Sequence, residues 1–198
     1  MQSAISAESG FLHRTKALQE SIPGRIVVTF AATTLVAACA HVSLPLPFTP
    51  VPLTLQNFAV LLVGMALGPV AGFSAMVLYL VQGAMGLPMF TPNGPMGVAR
   101  LIGPTAGFLF AYPLVAASAG WTVRAMRNVG SRFTRGIVAG TVSTLILFAF
   151  GASWMATLLH LNAAAIWHMG VAPFLPGEIV KVTAAAGIYS AMQRWRQA

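Results

Sequence analysis

Two oppositely charged residues lie in the last long apolar stretch of the sequence, in a chain with only 7% charged residues. Glu178 and Lys181 are three residues apart, so on a helix they share one face. A charge inside a membrane span costs roughly 2.5–3.5 kcal/mol on insertion scales, and such residues usually face a polar cavity. The pair therefore indicates a site that binds polar groups. The alternative is a mutually neutralising pair near the membrane surface, with the Lys181 ammonium reaching toward water.

Further side chains that form hydrogen bonds lie on the side of the membrane predicted for the start of this last stretch. They are Gln56, Thr91, Asn93 and Arg100. With the charged pair they would supply one acid, two bases and amide groups at the mouth of an apolar bundle. That set suits a small solute with a carboxylate at one end and a polar ring at the other. The aromatic residues that would wall the apolar middle are Phe48, Phe90, Trp167 and Phe174. A place at the membrane–water interface is equally consistent with each of them.

The composition indicates that membrane helices must position these side chains. Hydrophobic residues make up 57% of the 198 residues, and the mean hydropathy is +0.79. A span needs about 20 apolar residues, so the chain has room for about six. Its continuous apolar runs lack the alternation of barrel strands, which favours helices. We therefore predict an all-α polytopic membrane protein with six transmembrane helices near residues 25–42, 53–68, 70–86, 104–123, 136–160 and 174–192.

The basic residues predict the orientation of these helices. They cluster at three span ends, which six spans place on one side of the membrane: Arg14, Lys16 and Arg25, then Arg124, Arg127, Arg132 and Arg135, then Arg194 and Arg196. By the positive-inside rule this side is the cytoplasm. Residues 1–24 would form a cytoplasmic N-terminal tail and residues 25–198 a six-helix transmembrane substrate-binding domain. Contact with anionic membrane lipid explains the net charge of +8 better than nucleic acid does.

Several other functions find little support in the sequence. The lone Cys39 offers no disulfide and no paired metal ligand, and we predict neither metal nor cofactor. Ser153 with His160 and His168 resembles an intramembrane protease only loosely, because His160 would lie about 10 Å along the same helix. We therefore predict that the chain is not an enzyme. A structural or pore-forming membrane subunit remains an alternative, although the polar residues gather at one end rather than through the depth of the bundle.

Four motifs carry a resemblance to a known family. They are PVPLTLQ at 50–56, GLPMF at 86–90, GPTAGF at 103–108 and PFLPGEIVK at 173–181. In order and spacing they resemble the BioY biotin transporters, the substrate-binding S components of energy-coupling factor (ECF) transporters. The resemblance covers nearly the whole chain after the tail. Two departures are Glu178, where the family usually has Asp, and Phe108, where an aromatic hydroxyl is common.

The resemblance implies an S-component-like bundle that captures biotin at the extracytoplasmic face of the cell membrane. By the same resemblance Gln56, Asn93, Arg100, Glu178 and Lys181 fall at or near ligand-contacting positions. A transmembrane coupling subunit and ATPase subunits would be the partners, because the chain has no phosphate-binding loop of its own. An S component for a different vitamin is the nearest alternative.

Overall fold

The computed structural model describes residues 22–195, most of which are helical. The elements are α1 (Ile22–His41), β1 (Ser43–Leu44), β2 (Leu53–Thr54), α2 (Gln56–Leu67), α3 (Pro69–Ala84), α4 (Val98–Leu101), α5 (Ala106–Ala125), α6 (Arg132–Leu159), α7 (Ala163–Ile166) and α8 (Leu175–Trp195). One π-helical turn, Trp167–Val171, and one 3-10 turn, Ala172–Phe174, join α7 to α8. Residues 1–21 of the predicted tail, with Arg14 and Lys16, and Arg196 at the other end lie outside the described residues.

Each of the six predicted spans coincides with a helix, but the helices differ in length. Within residues 22–195, four helical stretches are long and apolar enough to cross a membrane: Ile22–His41, Ala106–Ala125, Arg132–Leu159 and Ala163–Trp195. α2 and α3 have 12 and 16 residues. At 1.5 Å per residue they reach about 18 and 24 Å, short of a hydrocarbon core of about 30 Å. The helical class is therefore confirmed, whereas six complete spans are not.

Local backbone chemistry explains why α2 and α3 are short. Leu53 and Thr54, which we predicted to begin a span, instead pair antiparallel with Leu44 and Ser43. At the other end of α2, Gly68 has a φ of +88°, a left-handed conformation that favours glycine, and Pro69 then begins α3. The β pairing thus delays the start of α2 until Gln56, at the end of the bundle that carries the polar residues.

α5 is the central helix of the bundle. It contacts α2, α3, α4 and α6, and most of its residues are buried. A Cβ at Gly72 of α3 would lie 3.1 Å from the Gly64 Cα of α2, so these two helices pack closely. A Cβ at Gly64 would also collide with the backbone of Ala116 in α5. Three helices therefore meet where only small residues fit.

The distribution of polar and apolar side chains is inverted relative to a soluble protein. On α8, Glu178 and Lys181 are buried, while Ile179 and Val180 between them are 69% and 68% exposed. Large apolar side chains are also exposed on the other long helices, as at Phe30 and Leu145. Surrounding lipid suits this exterior, and the charges lie inside the protein, away from hydrocarbon.

Candidate ligand-binding cavity

The acidic and basic residues of α8 form a buried ion pair. Lys181 Nζ lies 2.7 Å from Glu178 Oε1, and each residue is 6% exposed. Glu178 carries the only side-chain carboxylate within residues 22–195, since Glu8 and Glu20 precede that range. Removing either partner would leave an uncompensated buried charge, which is strongly destabilising. The first turns of α8 thus place one anion and one cation side by side.

Asn57 of α2 binds the second oxygen of this carboxylate. Its Nδ2 donates to Glu178 Oε2 at 2.5 Å and to Thr144 Oγ1 of α6 at 3.3 Å. A carboxylate only accepts hydrogen bonds, so the amide nitrogen must face it and the orientation of the amide is fixed. The Asn57 Oδ1 is then buried with no hydrogen-bond partner. Such an atom is costly unless a ligand or water donates to it.

A second hydrogen-bonded chain joins α2, α3 and the segment that follows α3. Gln56 Nε2 donates to Tyr79 Oη at 2.6 Å, and Tyr79 Oη donates to the carbonyl of Met89 at 2.7 Å. The Tyr79 ring also packs edge-on against Phe90, with 5.6 Å between ring centroids. These contacts fix the position of Phe90 at the wall of the cavity.

Arg100 of α4 holds the segment between α3 and α4 in place. Its Nη2 donates to the carbonyls of Thr91 and Asn93, each at 2.9 Å, and also to Thr91 Oγ1. Burial lowers the pKa of the Arg100 guanidinium, but an arginine remains protonated in proteins. Since one nitrogen makes all three bonds, the rest of the guanidinium keeps donors for a ligand.

The ion pair of α8, the two amide residues of α2, Phe90 and Arg100 line one cavity of about 600 Å³, a volume that includes its open mouth. Its lining residues are Val51, Pro52, Thr54, Gln56, Asn57, Phe90, Thr91, Arg100, Thr105, Phe108, Leu109, Tyr112, Leu147, Phe148, Phe174, Glu178 and Lys181. A few convergent polar groups among mostly apolar and aromatic walls are typical of a small-molecule site. The arrangement can accept from ligand N–H groups, donate to ligand oxygens and cover an apolar ring.

A sequence model of the BioY family matches residues 13–198. The chain belongs to the BioY family. It is 35% identical over 168 residues to "Probable biotin transporter BioY" of Pyrococcus horikoshii, covering 85% of this chain and 94% of that protein. It is 31% identical over 169 residues to "Biotin transporter BioY" of Rhizobium etli, covering 81% and 88%.

The fold is similar to two solved S components. The S component for biotin from an ECF-type ABC transporter matches with a TM-score of 0.78 at 21% identity, over 86% of this chain and 90% of that one. The S component of a bacterial ECF transporter matches with a TM-score of 0.55 at 20% identity, over 86% and 93%. The resemblance inferred from the four motifs is thereby confirmed.

Membership in the BioY family, a family of membrane transporters, also confirms that the chain is not an enzyme. The residues of the protease alternative lie away from the cavity. Ser153, His160 and His168 are all exposed, and none lines the cavity. His160 ends α6 in a left-handed conformation, with φ of 52°.

The structure brings five of the six predicted site residues to this cavity: Gln56, Phe90, Arg100, Glu178 and Lys181. Asn93 is not among the lining residues, because its side chain is exposed and only its backbone carbonyl contacts Arg100. Of the other predicted aromatic residues, Phe174 lines the cavity, whereas Phe48 and Trp167 are exposed on the surface. The ligand contacts of all six stay a prediction.

Three polar residues of the site were not singled out in the sequence: Asn57, Tyr79 and Tyr112. The sequence could have indicated Asn57 as a site residue, because it is an amide beside Gln56 at the start of an apolar stretch. Nothing in the sequence indicated the two tyrosines, since a tyrosine in a span is as typical of the membrane–water interface as of a buried site. Their burial against the cavity wall depends on how α3 and α5 pack.

Proposed function

We propose that this membrane protein captures biotin at the extracytoplasmic face of the inner membrane, as the S component of an ECF transporter. The observation that carries the proposal is the buried set of Glu178, Lys181 and Asn57 at the wall of an otherwise apolar cavity. Biotin offers two ureido N–H donors, a ureido carbonyl, an apolar sulfur-containing ring and a carboxylate tail. Each of these groups has a complementary partner in the cavity.

The polar contacts follow from which atoms are still available. Glu178 accepts from one ureido N–H, because an ionised carboxylate has more acceptor sites than its two internal bonds use. Asn57 Oδ1 accepts from the other, since it has no internal partner. Lys181 and Arg100 donate to the oxygens of the ligand. Phe90 and Phe174 cover the apolar ring.

The buried core supports capture over a continuous pore. Leu61, Met76 and Val115 are fully buried apolar residues of α2, α3 and α5. A water-filled pore would be lined with polar groups through its depth. The polar residues named above instead gather at one end of the bundle, so the substrate would be bound from that side and released by a further conformational step.

The first experiment measures binding and coupling on the purified protein. Isothermal titration in detergent is expected to show saturable binding of biotin that neither thiamine nor riboflavin displaces. The same protein in liposomes is expected to bind biotin without accumulating it against a gradient, because the chain has no nucleotide-binding loop. Adding a transmembrane coupling subunit and its ATPases should give ATP-dependent accumulation.

The possible failures of this experiment have separate meanings. Displacement of biotin by thiamine would assign the chain to another vitamin. Accumulation by the chain alone would reject dependence on a coupling module while leaving the binding site intact.

Thr34 and Ala38 on α1 are exposed and four residues apart, which supports a close contact with the coupling subunit there.

The proposed topology has six membrane-crossing helices, with both termini and the α5–α6 connection in the cytoplasm. α5 begins beside the cavity residue Thr105 and ends near Arg124, so the cavity and the arginines lie at opposite ends of this helix. A cysteine at the exposed Asn128 is expected to resist an impermeant thiol reagent in intact cells and to react after lysis. A cysteine at the exposed Asn93 should be labelled from outside. The reverse pattern would refute the orientation.

A further inference from the structure

We propose that a basic pocket at the other end of the bundle binds the phosphate group of an anionic lipid. The pocket lies where the ends of α2, α5 and α8 meet the first turn of α6, and its volume is about 920 Å³ with the open solvent at its mouth. Its polar side chains are Arg124, Arg127, Arg135, Tyr189 and Gln193. Biotin binding involves none of them.

The pocket has a positive charge that no described acidic side chain balances. The carboxylate of Glu178, the only one within residues 22–195, pairs with Lys181 in the ligand cavity. Arg124 and Arg127 donate no side-chain hydrogen bond to any described acceptor. Guanidinium groups that line one pocket repel one another, and an anion between them relieves that repulsion, so we infer that the pocket takes an anionic ligand.

Hydrogen bonds to the backbone already hold Arg135 in position. Arg135 Nη1 donates to the carbonyl of Arg127 at 3.0 Å, and its Nε donates to the carbonyl of Ser131 at 3.4 Å. The guanidinium of Arg124 lies directly over Gly68, where a Cβ would collide with it. A binding group that is ordered in advance loses less conformational entropy when the ligand arrives.

Tyr189 supplies a further, neutral donor. Its side chain is only 5% exposed, and its hydroxyl makes no hydrogen bond to any residue in the described part of the chain. A tyrosine hydroxyl has one O–H to donate, and this one has no described protein partner. A phosphate in the pocket would give it one.

The surroundings of the pocket indicate that the phosphate belongs to a lipid. Trp121, Phe133 and Trp195 lie at the same ends of α5, α6 and α8 and are 66%, 42% and 81% exposed. Aromatic residues concentrate at the membrane–water interface, at the depth of lipid headgroups. An arginine guanidinium can donate two parallel hydrogen bonds to two oxygens of one phosphate. Basic pockets between membrane helices on the cytoplasmic side bind anionic lipid headgroups.

The test is lipid binding to the purified full chain, measured by native mass spectrometry and by the shift in melting temperature. Phosphatidylglycerol is compared with phosphatidylcholine and with inorganic phosphate. The Arg124→Gln, Arg127→Gln double variant is expected to bind phosphatidylglycerol roughly tenfold to thirtyfold more weakly. Tyr189→Phe, which keeps the ring, should weaken the binding of phosphatidylglycerol about threefold. Arg194→Gln is the control, since Arg194 is exposed and does not line the pocket.

Each outcome decides the proposal. Preferential binding of phosphatidylglycerol, weakened in the pocket variants but not in Arg194→Gln, supports the lipid site. Equal stabilisation by inorganic phosphate would keep the anion site and reject lipid as its source. Equal binding of both lipids, or equal loss in the Arg194 control, would overturn it. If the double variant does not fold, Tyr189→Phe alone decides, because it changes neither charge nor topology.

Discussion

Lys181→Met is expected to weaken biotin binding by about tenfold to a hundredfold, because a charge-assisted hydrogen bond contributes roughly 1.5–3 kcal/mol. Methionine keeps the apolar stem and removes the cation that contacts Glu178. The change also leaves the Glu178 carboxylate buried with Asn57 as its remaining donor, which destabilises the fold by about 3–5 kcal/mol. Affinity must therefore be measured by titration on the monodisperse fraction of the variant.

Glu178→Gln is the companion change, with an expected loss of affinity of about tenfold or more. It keeps the shape of the side chain and replaces an acceptor-only group with a mixed donor and acceptor. If the ion pair were only structural, both variants would lose folded yield but bind biotin with wild-type affinity. A loss confined to one variant would show which partner contacts the ligand. Thr183→Val is the control, because Thr183 faces outward on the same helix.

The second large effect is expected at Asn57, whose Oδ1 lacks an internal partner. Asn57→Ala is expected to weaken biotin binding by about tenfold, since it removes an acceptor for a ureido N–H and a donor to Glu178. Biotin methylated at one or the other ureido nitrogen separates these two effects. The analogue that places its methyl group against Oδ1 should bind the wild type at least tenfold more weakly than biotin does. With Asn57→Ala the same methyl group should cost much less affinity, so the effects of methylation and of the substitution are not additive.

The structure also supplies a matched control for this cycle. Thr144→Val removes the hydroxyl that accepts from Asn57 Nδ2, at a residue that does not line the cavity. It should leave the response to both methylated analogues unchanged. If methylation costs the same affinity in the wild type and in Asn57→Ala, Asn57 only positions Glu178 and does not contact the ligand. Failure of the wild type to bind biotin at all would instead refute the proposed function.

Some parts of the site were predictable because they depend on local spacing. Glu178 and Lys181 are three residues apart, and on any helix that spacing places them on one face, so their pairing needed no knowledge of the fold. The role of Asn93 was less predictable, because the path of the segment between α3 and α4 determines which of its atoms face inward.

The sequence by itself determined that this is a helical membrane protein, because so few charges and such long apolar runs exclude a water-soluble fold. Its four motifs also determined the family. Only the tertiary structure decided that α2 begins at Gln56, since β1 lies ten residues from β2 along the chain and they pair only in the folded state. It also decided that Asn57 faces Glu178, 121 residues further on. Contacts over such distances depend on how whole helices pack around α5, and no local pattern encodes that arrangement.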